Sequence, residues 1–299
     1  MMCRKTSLFL ASCTLLGCTT ADSEDAGAEL AANSQNSLAL LSIEHSADPG
    51  SELPRVSAGA KVARFRGIDG EGLLKLLGAE PRDLETCGSA AGLDDRAVGA
   101  AAQVDLLSVG PISVRLGQRQ HQLPPRLFPA LATTAAGWFY AGVLEQREPS
   151  AGTEEFVLSA PGASAHGLGK FELSGVSPSE VRGLSLATVL LSSLERPRAL
   201  FDSPGAVLPR DADAELTWEP EGQGDRIEIE IFAGNGALAC AARDDGQFSV
   251  PRARLKVLEA DDNATLIVRR VRVFPVDMHG IESAYARVAT ARTLPLQIK

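Results

Sequence analysis

Asp225-Arg-Ile-Glu-Ile-Glu-Ile-Phe232 is the stretch that decides the fold. Ile227, Ile229 and Ile231 alternate strictly with Arg226, Glu228 and Glu230, and a period of two with one apolar face marks a strand that buries one side and wets the other. Working outward, 215–218, 238–242, 247–250, 265–274 and 286–298 read as further strands. Pro251 opens a helical turn through Leu258, because proline suits a first turn whose N–H has no partner in any case. Six short strands around one helical turn predict an immunoglobulin-like or fibronectin-like sandwich over 201–299, with Trp218 on an early strand as its core anchor.

The segment 55–200 carries the same pattern more loosely. Residues 104–108 and 112–116 flank Val109-Gly110-Pro111 and predict a hairpin. Residues 138–144, 155–159 and 170–174 are further short strands, separated by turns such as Pro149-Ser-Ala-Gly152 and Pro161-Gly162. Leu73, Leu74, Leu76 and Leu77 recur at helical spacing, so 70–79 reads as a short amphipathic helix stopped by Gly78. Pro197, Pro204 and Gly205 break the pattern and mark a module boundary. The expected fold class is all-β, as two tandem antiparallel β-sandwich modules over 55–200 and 201–299.

The N-terminus gives an address. Arg4 and Lys5 precede an apolar run over 6–16, too short to cross a hydrocarbon core of about 30 Å as a helix. Leu15-Leu16-Gly17-Cys18 then places a small residue before Cys, as bacterial lipoprotein processing requires. Residues 1–17 are the expected signal peptide and Cys18 the lipidated first residue of the mature chain; the alternative is an ordinary signal peptide that leaves a plain thiol. Thr19, where an inner-membrane sorting signal would place Asp, points to the outer membrane, on its periplasmic face or at the cell surface. Several acyl chains anchor firmly, since each buried methylene contributes about 0.8 kcal/mol.

Between Thr19 and Pro54 stand seven acids and no Lys or Arg. With Cys18 this segment, 18–54, reads as an acidic disordered tether in which 38–43 makes at most one transient strand. Loss of Arg4 and Lys5 takes the net charge from −9 to −11, and the tether acids leave about −4 on the body. A body so nearly neutral lacks the basic stripe that nucleic acid requires.

Glu215-Leu-Thr-Trp-Glu-Pro-Glu-Gly222, Ile227-Glu-Ile-Glu-Ile231, Cys240 and Arg243-Asp-Asp-Gly-Gln-Phe-Ser-Val-Pro251 together resemble the C-terminal module of a loose group of bacterial predicted lipoproteins from GC-rich genomes. Thr86-Cys87 and the 104–116 segment resemble its N-terminal module. The resemblance implies a lipid-anchored, two-module β protein and carries no activity or functional residue with it.

Few residues suggest chemistry. Cys87 and Cys240 either form a disulfide across the two modules or pack as small apolar side chains, Cys240 sharing a strand face with Leu238. Asp225, Asp244-Asp245-Gly246 and Asp261-Asp262-Asn263 are calcium candidates, although Asp-Asp-Gly also suits a tight hairpin and neither cluster has EF-hand spacing. Ser164 and His166, with His279 in a turn between the last two strands, are the residues an envelope hydrolase would need to converge with an acid. His45 falls in the tether and His121 in a polar, proline-rich stretch. Trp138 and Tyr140 share a strand face and form the candidate ligand platform, with core packing as the alternative.

No cofactor or metal is implied. The expected role is non-enzymatic: a lipid-anchored envelope protein that binds a protein or glycan, or that is structural. An envelope hydrolase and a carbohydrate-binding module are the alternatives.

Overall fold

The computed structural model describes residues 36–47, 55–79, 82–89, 102–132, 135–144, 153–186, 189–191, 206–222 and 224–299. The expected signal peptide, Cys18, the expected 149–152 turn and the expected boundary at 195–205 lie outside these residues.

In chain order the first elements are β1 (Asn36–Ala47), β2 (Arg55–Arg66), α1 (Gly70–Leu76), β3 (Thr86–Ser89) and β4 (Gln103–Leu106). Next come β5 (Ile112–Leu116), β6 (Arg119–Leu123), β7 (Arg126–Ala132), β8 (Ala135–Leu144), β9 (Glu155–Ala160) and β10 (Phe171–Val176). Four short strands follow: β11 (Ser185–Leu186), β12 (Val189–Leu190), β13 (Ala206–Leu208) and β14 (Ala214–Thr217). The chain closes with β15 (Arg226–Ala233), β16 (Gly236–Arg243), β17 (Gln247–Val250), α2 (Arg252–Leu255), β18 (Asp261–Pro275) and β19 (Ser283–Ile298). The protein is thus mostly β.

The alternation in β15 is realised as read: Ile227, Ile229 and Ile231 are buried, and the strand pairs with β16 and β18. The pairing then extends beyond one module. An eleven-stranded mixed sheet runs β3-β16-β15-β18-β19-β1-β2-β4-β8-β7, with β13 beside β19, so it draws strands from both sides of residue 200. Two four-stranded sheets, β10-β9-β5-β6 and β12-β11-β14-β17, complete the architecture. From Gln35 to Lys299 the chain is one compact unit.

Among the described residues a small cluster gathers Leu38, Phe65, Leu73 and Val104 beneath α1, and two larger cores take most of the remaining buried side chains. One gathers Trp218, Ile227, Ile229, Ile231, Phe248 and Leu294, and the other gathers Leu41, Ile43, Val114, Tyr140, Phe156 and Val288. Strand β19 lines both, with Ala286 and Val288 in one and Leu294, Leu296 and Ile298 in the other. In place of two tandem sandwiches, the two cores share one long wall.

Strand β1 revises the tether. It runs parallel to β19 and antiparallel to β2 in the interior of the large sheet, so 36–47 belongs to the body. The excess of acids over 19–54 masked an apolar alternation of Ala39, Leu41 and Ile43, all buried. Glu44 is no free tether acid either, because it pairs with Arg269 at 3.1 Å and Arg287 at 3.5 Å.

The 104–116 segment is likewise not a hairpin. Strand β4 lies in the large sheet and β5 in a small one, so Leu107–Pro111 is an arch that crosses between layers. The arch is pinned where the Val109 N–H donates to the Tyr140 hydroxyl at 2.8 Å. Gly110, at φ 77°, takes a left-handed conformation, and a Cβ there would lie 2.7 Å from Pro161. The true hairpin is β5–β6, turning after Leu116. Asp244-Asp245-Gly246 also changes sheets, linking β16 to β17, which pairs with β14. The helix forms over Gly70–Leu76, capped by the Asp69 carboxylate accepting from Gly72 N at 2.7 Å.

A polar seam separates the cores. Residues 177–184 connect β10 to β11 across the large sheet; the Arg182 carbonyl accepts from the Glu219 N–H at 2.9 Å, but those of Pro178, Glu180 and Val181 bond no backbone N–H among the described residues. Side chains satisfy them instead. Arg270 donates to Glu180 O at 3.1 Å and to Ser179 Oγ at 2.8 Å, Thr290 Oγ1 donates to Pro178 O at 2.7 Å, and Arg292 donates to Val181 O at 3.1 Å. Arg270, only 1% exposed, is balanced by Asp244 at 2.8 Å. Arg272 makes a two-pronged pair with Asp225, both bonds 2.7 Å.

Candidate functional site

The residues singled out from sequence fall in four places, and most of them turn out to be structural. Cys87 and Cys240 face each other on the antiparallel pair β3–β16, with Cα atoms 4.0 Å apart and a bond between their sulfurs. The bond fastens β3, an edge strand, to the large sheet; Cys240 is buried in the core and Cys87 packs against it.

Trp138 and Tyr140 do not make a platform. Tyr140 is 2% exposed, with its ring in a core and its hydroxyl on the arch, whereas Trp138 is 39% exposed beside the exposed Leu127 on β7. Parity along β8 holds, but depth differs, because Trp138 lies toward the sheet margin.

The carboxylates proposed for calcium are occupied. Asp244 accepts from Trp218 Nε1 at 2.7 Å and from the Glu221 N–H at 3.1 Å besides pairing with Arg270. Asp225 is held by Arg272, and Asp261 accepts from Gly234 N and Asn263 N, each at 2.8 Å. The backbone N–H of Asn263, then that of Gly234, draws the Asp261 carboxyl below its ordinary range. Among the described residues no three His, Cys, Asp or Glu side chains gather as a metal group.

Ser164–His166 forms one exposed turn of 3-10 helix, and its loop does meet the loop of His279, through a Gly169 N–H bond to His279 O at 3.0 Å. The His166 carbonyl accepts from Arg64. No hydrogen bond joins the Ser164, His166 and His279 side chains among the described residues. His121 sits on edge strand β6 opposite Val114. The Ser–His contact that does exist is between Ser177 Oγ and His45 Nε2, at 3.2 Å. Assigning His45 to a tether hid it. Both residues are buried, and burial pushes the His45 imidazole down to about 4, so it is neutral at pH 7. With no described carboxylate bonded to the ring, the pair closes the seam and does not form a triad.

A different surface is built as a site. Register places Glu172 opposite Ser159, Ser159 opposite Ser113 and Ser113 opposite Gln122, so four polar side chains form one row straight across β10-β9-β5-β6. The neighbouring residues on that face are Pro111, Pro161 and Lys170, and together they line an open trough of about 490 Å³. Short serines make its floor and the longer Glu172 and Gln122 its ends. Gln120 Nε2 donates to Ser113 Oγ at 2.8 Å and orients it. Ser159, Gln122, Lys170 and Glu172 have no side-chain hydrogen bond to any described residue. The opposite face carries buried Ile112, Val114, Phe156, Leu158 and Phe171, so the trough rests on a packed core.

Comparison with protein-family models, curated proteins and solved structures returned no match. No helix among the described residues is long and apolar enough to cross a membrane.

Proposed function

We propose that this chain is a lipid-anchored bacterial envelope protein with a non-catalytic binding role, held through Cys18 at the outer membrane. The address rests on Leu15-Leu16-Gly17-Cys18, and Thr19 favours the outer membrane. The observation that carries the binding role is the trough. It presents Gln122, Ser159, Lys170 and Glu172 on the outer face of a packed sheet, and none of these four has a side-chain hydrogen bond to any described residue. The two larger cores that share β19 act as the scaffold on which the trough is carried. The resemblance to predicted lipoproteins is consistent with this reading and adds no activity.

The test places a photo-crosslinking amino acid at Gln122 and, as a control, at Glu215 on β14, in cells expressing the full chain. Adducts at Gln122 alone support a binding trough, and their absence overturns it. Membrane fractionation of the wild type beside Cys18→Ala, with mass measurement of the mature N-terminus, tests the anchor; a soluble, unacylated wild type overturns it.

A further inference from the structure

We infer that the trough takes a linear, uncharged oligosaccharide laid across the strands, an inference that rests on the trough being the binding surface. The row from Gln122 to Glu172 spans three inter-strand spacings, about 14 Å, which suits a chain ligand better than a single small molecule. Its chemistry is mixed. Serine hydroxyls both donate and accept, the Gln122 amide offers both, Glu172 accepts and Lys170 donates, so a ligand whose every rim group is also donor and acceptor is matched along the whole row. Sugar hydroxyls meet that requirement. The single carboxylate and single ammonium lie together at the β10 end and cancel, which gives no attraction to a charged polymer.

An extended peptide fits less well. The row crosses the sheet face, where the ladder bonds of β5 and β9 are already made on both sides. A peptide there would find no strand edge for its backbone, the usual source of affinity in strand addition. Pro111 and Pro161, the exposed apolar residues among its lining, which also holds Ala160 and Phe171, offer flat faces to the less polar side of a pyranose ring. Gly110 permits that wall, because any Cβ at 110 would collide with Pro161.

The experiment titrates the full chain, purified in detergent, with chitohexaose and separately with maltohexaose, followed by calorimetry and saturation-transfer NMR. The expected result is saturable binding of at least one hexasaccharide, weakened at least about tenfold by Ser159→Trp, a loss of about 1.4 kcal/mol. Ser159→Trp fills the floor from the solvent side, and an unchanged urea midpoint shows that it still folds. Failure of both sugars to bind, or binding that Ser159→Trp does not alter, overturns the inference. Protein adducts at Gln122 without sugar binding would sink the oligosaccharide and leave the binding role standing, whereas no adduct of any kind would sink both.

Discussion

Replacing Arg270 by Met removes the cation at the centre of the seam and keeps most of its aliphatic stem. Arg270 is 1% exposed, and its guanidinium donates to Glu219 O at 2.6 Å, Glu180 O at 3.1 Å and Ser179 Oγ at 2.8 Å, besides pairing with Asp244 at 2.8 Å. Without it Asp244, 8% exposed, keeps only the Trp218 indole and the Glu221 N–H as its hydrogen-bond donors. Breaking a buried pair from one side costs about 3–5 kcal/mol, because the surviving charge is uncompensated. The expected loss is about 4 kcal/mol, a large share of a typical stability of about 5–15 kcal/mol. Equilibrium unfolding in urea, followed by tryptophan fluorescence and circular dichroism, should show a midpoint lower by about 1.3 M at a slope near 3 kcal/mol/M. Arg270→Met/Asp244→Asn should recover about half of that loss, since the second change removes the stranded charge. A single variant that loses less than about 1 kcal/mol would refute the view that this pair holds the seam.

The Cys87–Cys240 bond closes a loop of 153 residues, for which the chain-entropy relation gives a ceiling of about 5 kcal/mol; Cys87→Ser should approach that loss in denaturant and respond no further to dithiothreitol. His45, lowered by burial from 6.5 to about 4, leaves full stability above the unfolded value; as pH falls from 6.5 toward 4 the unfolded chain takes up a proton that the folded one refuses, and up to about 3 kcal/mol is lost. That slope should vanish in His45→Asn when urea midpoints are compared between pH 4 and pH 7. Tyr140→Phe should cost about 1–3 kcal/mol by orphaning the buried Val109 N–H, whereas Trp138→Ala, at a margin, should cost much less in the same assay.

Local pattern carried the strands well and their partners poorly. The Ile–Glu alternation of β15, the leucine spacing of α1 with its stop at Gly78, and Trp218 as a core residue are all readable, because each depends on neighbours a few residues away. Whether two adjacent strands pair or straddle two layers is decided by distant side chains. Tyr140 pins the arch at Val109, and nothing between 104 and 116 reveals it. The apolar rhythm of β1 was present but outweighed by the acids around it, and its own Glu44 pairs with Arg269, more than two hundred residues away. The trough was invisible for the same reason. Ser113, Gln122, Ser159 and Glu172 are unremarkable along the chain and become a row only through strand register.

The place of β1 has a kinetic consequence. The first described strand is wedged between β2 and the last strand of the chain, with Leu38 beside Ser283 and Ala47 beside Arg292. The middle of the sheet therefore stays open until β19 is in place, and β1 waits on a partner more than two hundred residues away on that side. Such long-range closure makes folding slow, and removal of β19 strips the shared wall from both cores at once. A fragment that stops before β19 lacks the strand that joins β1 to β18.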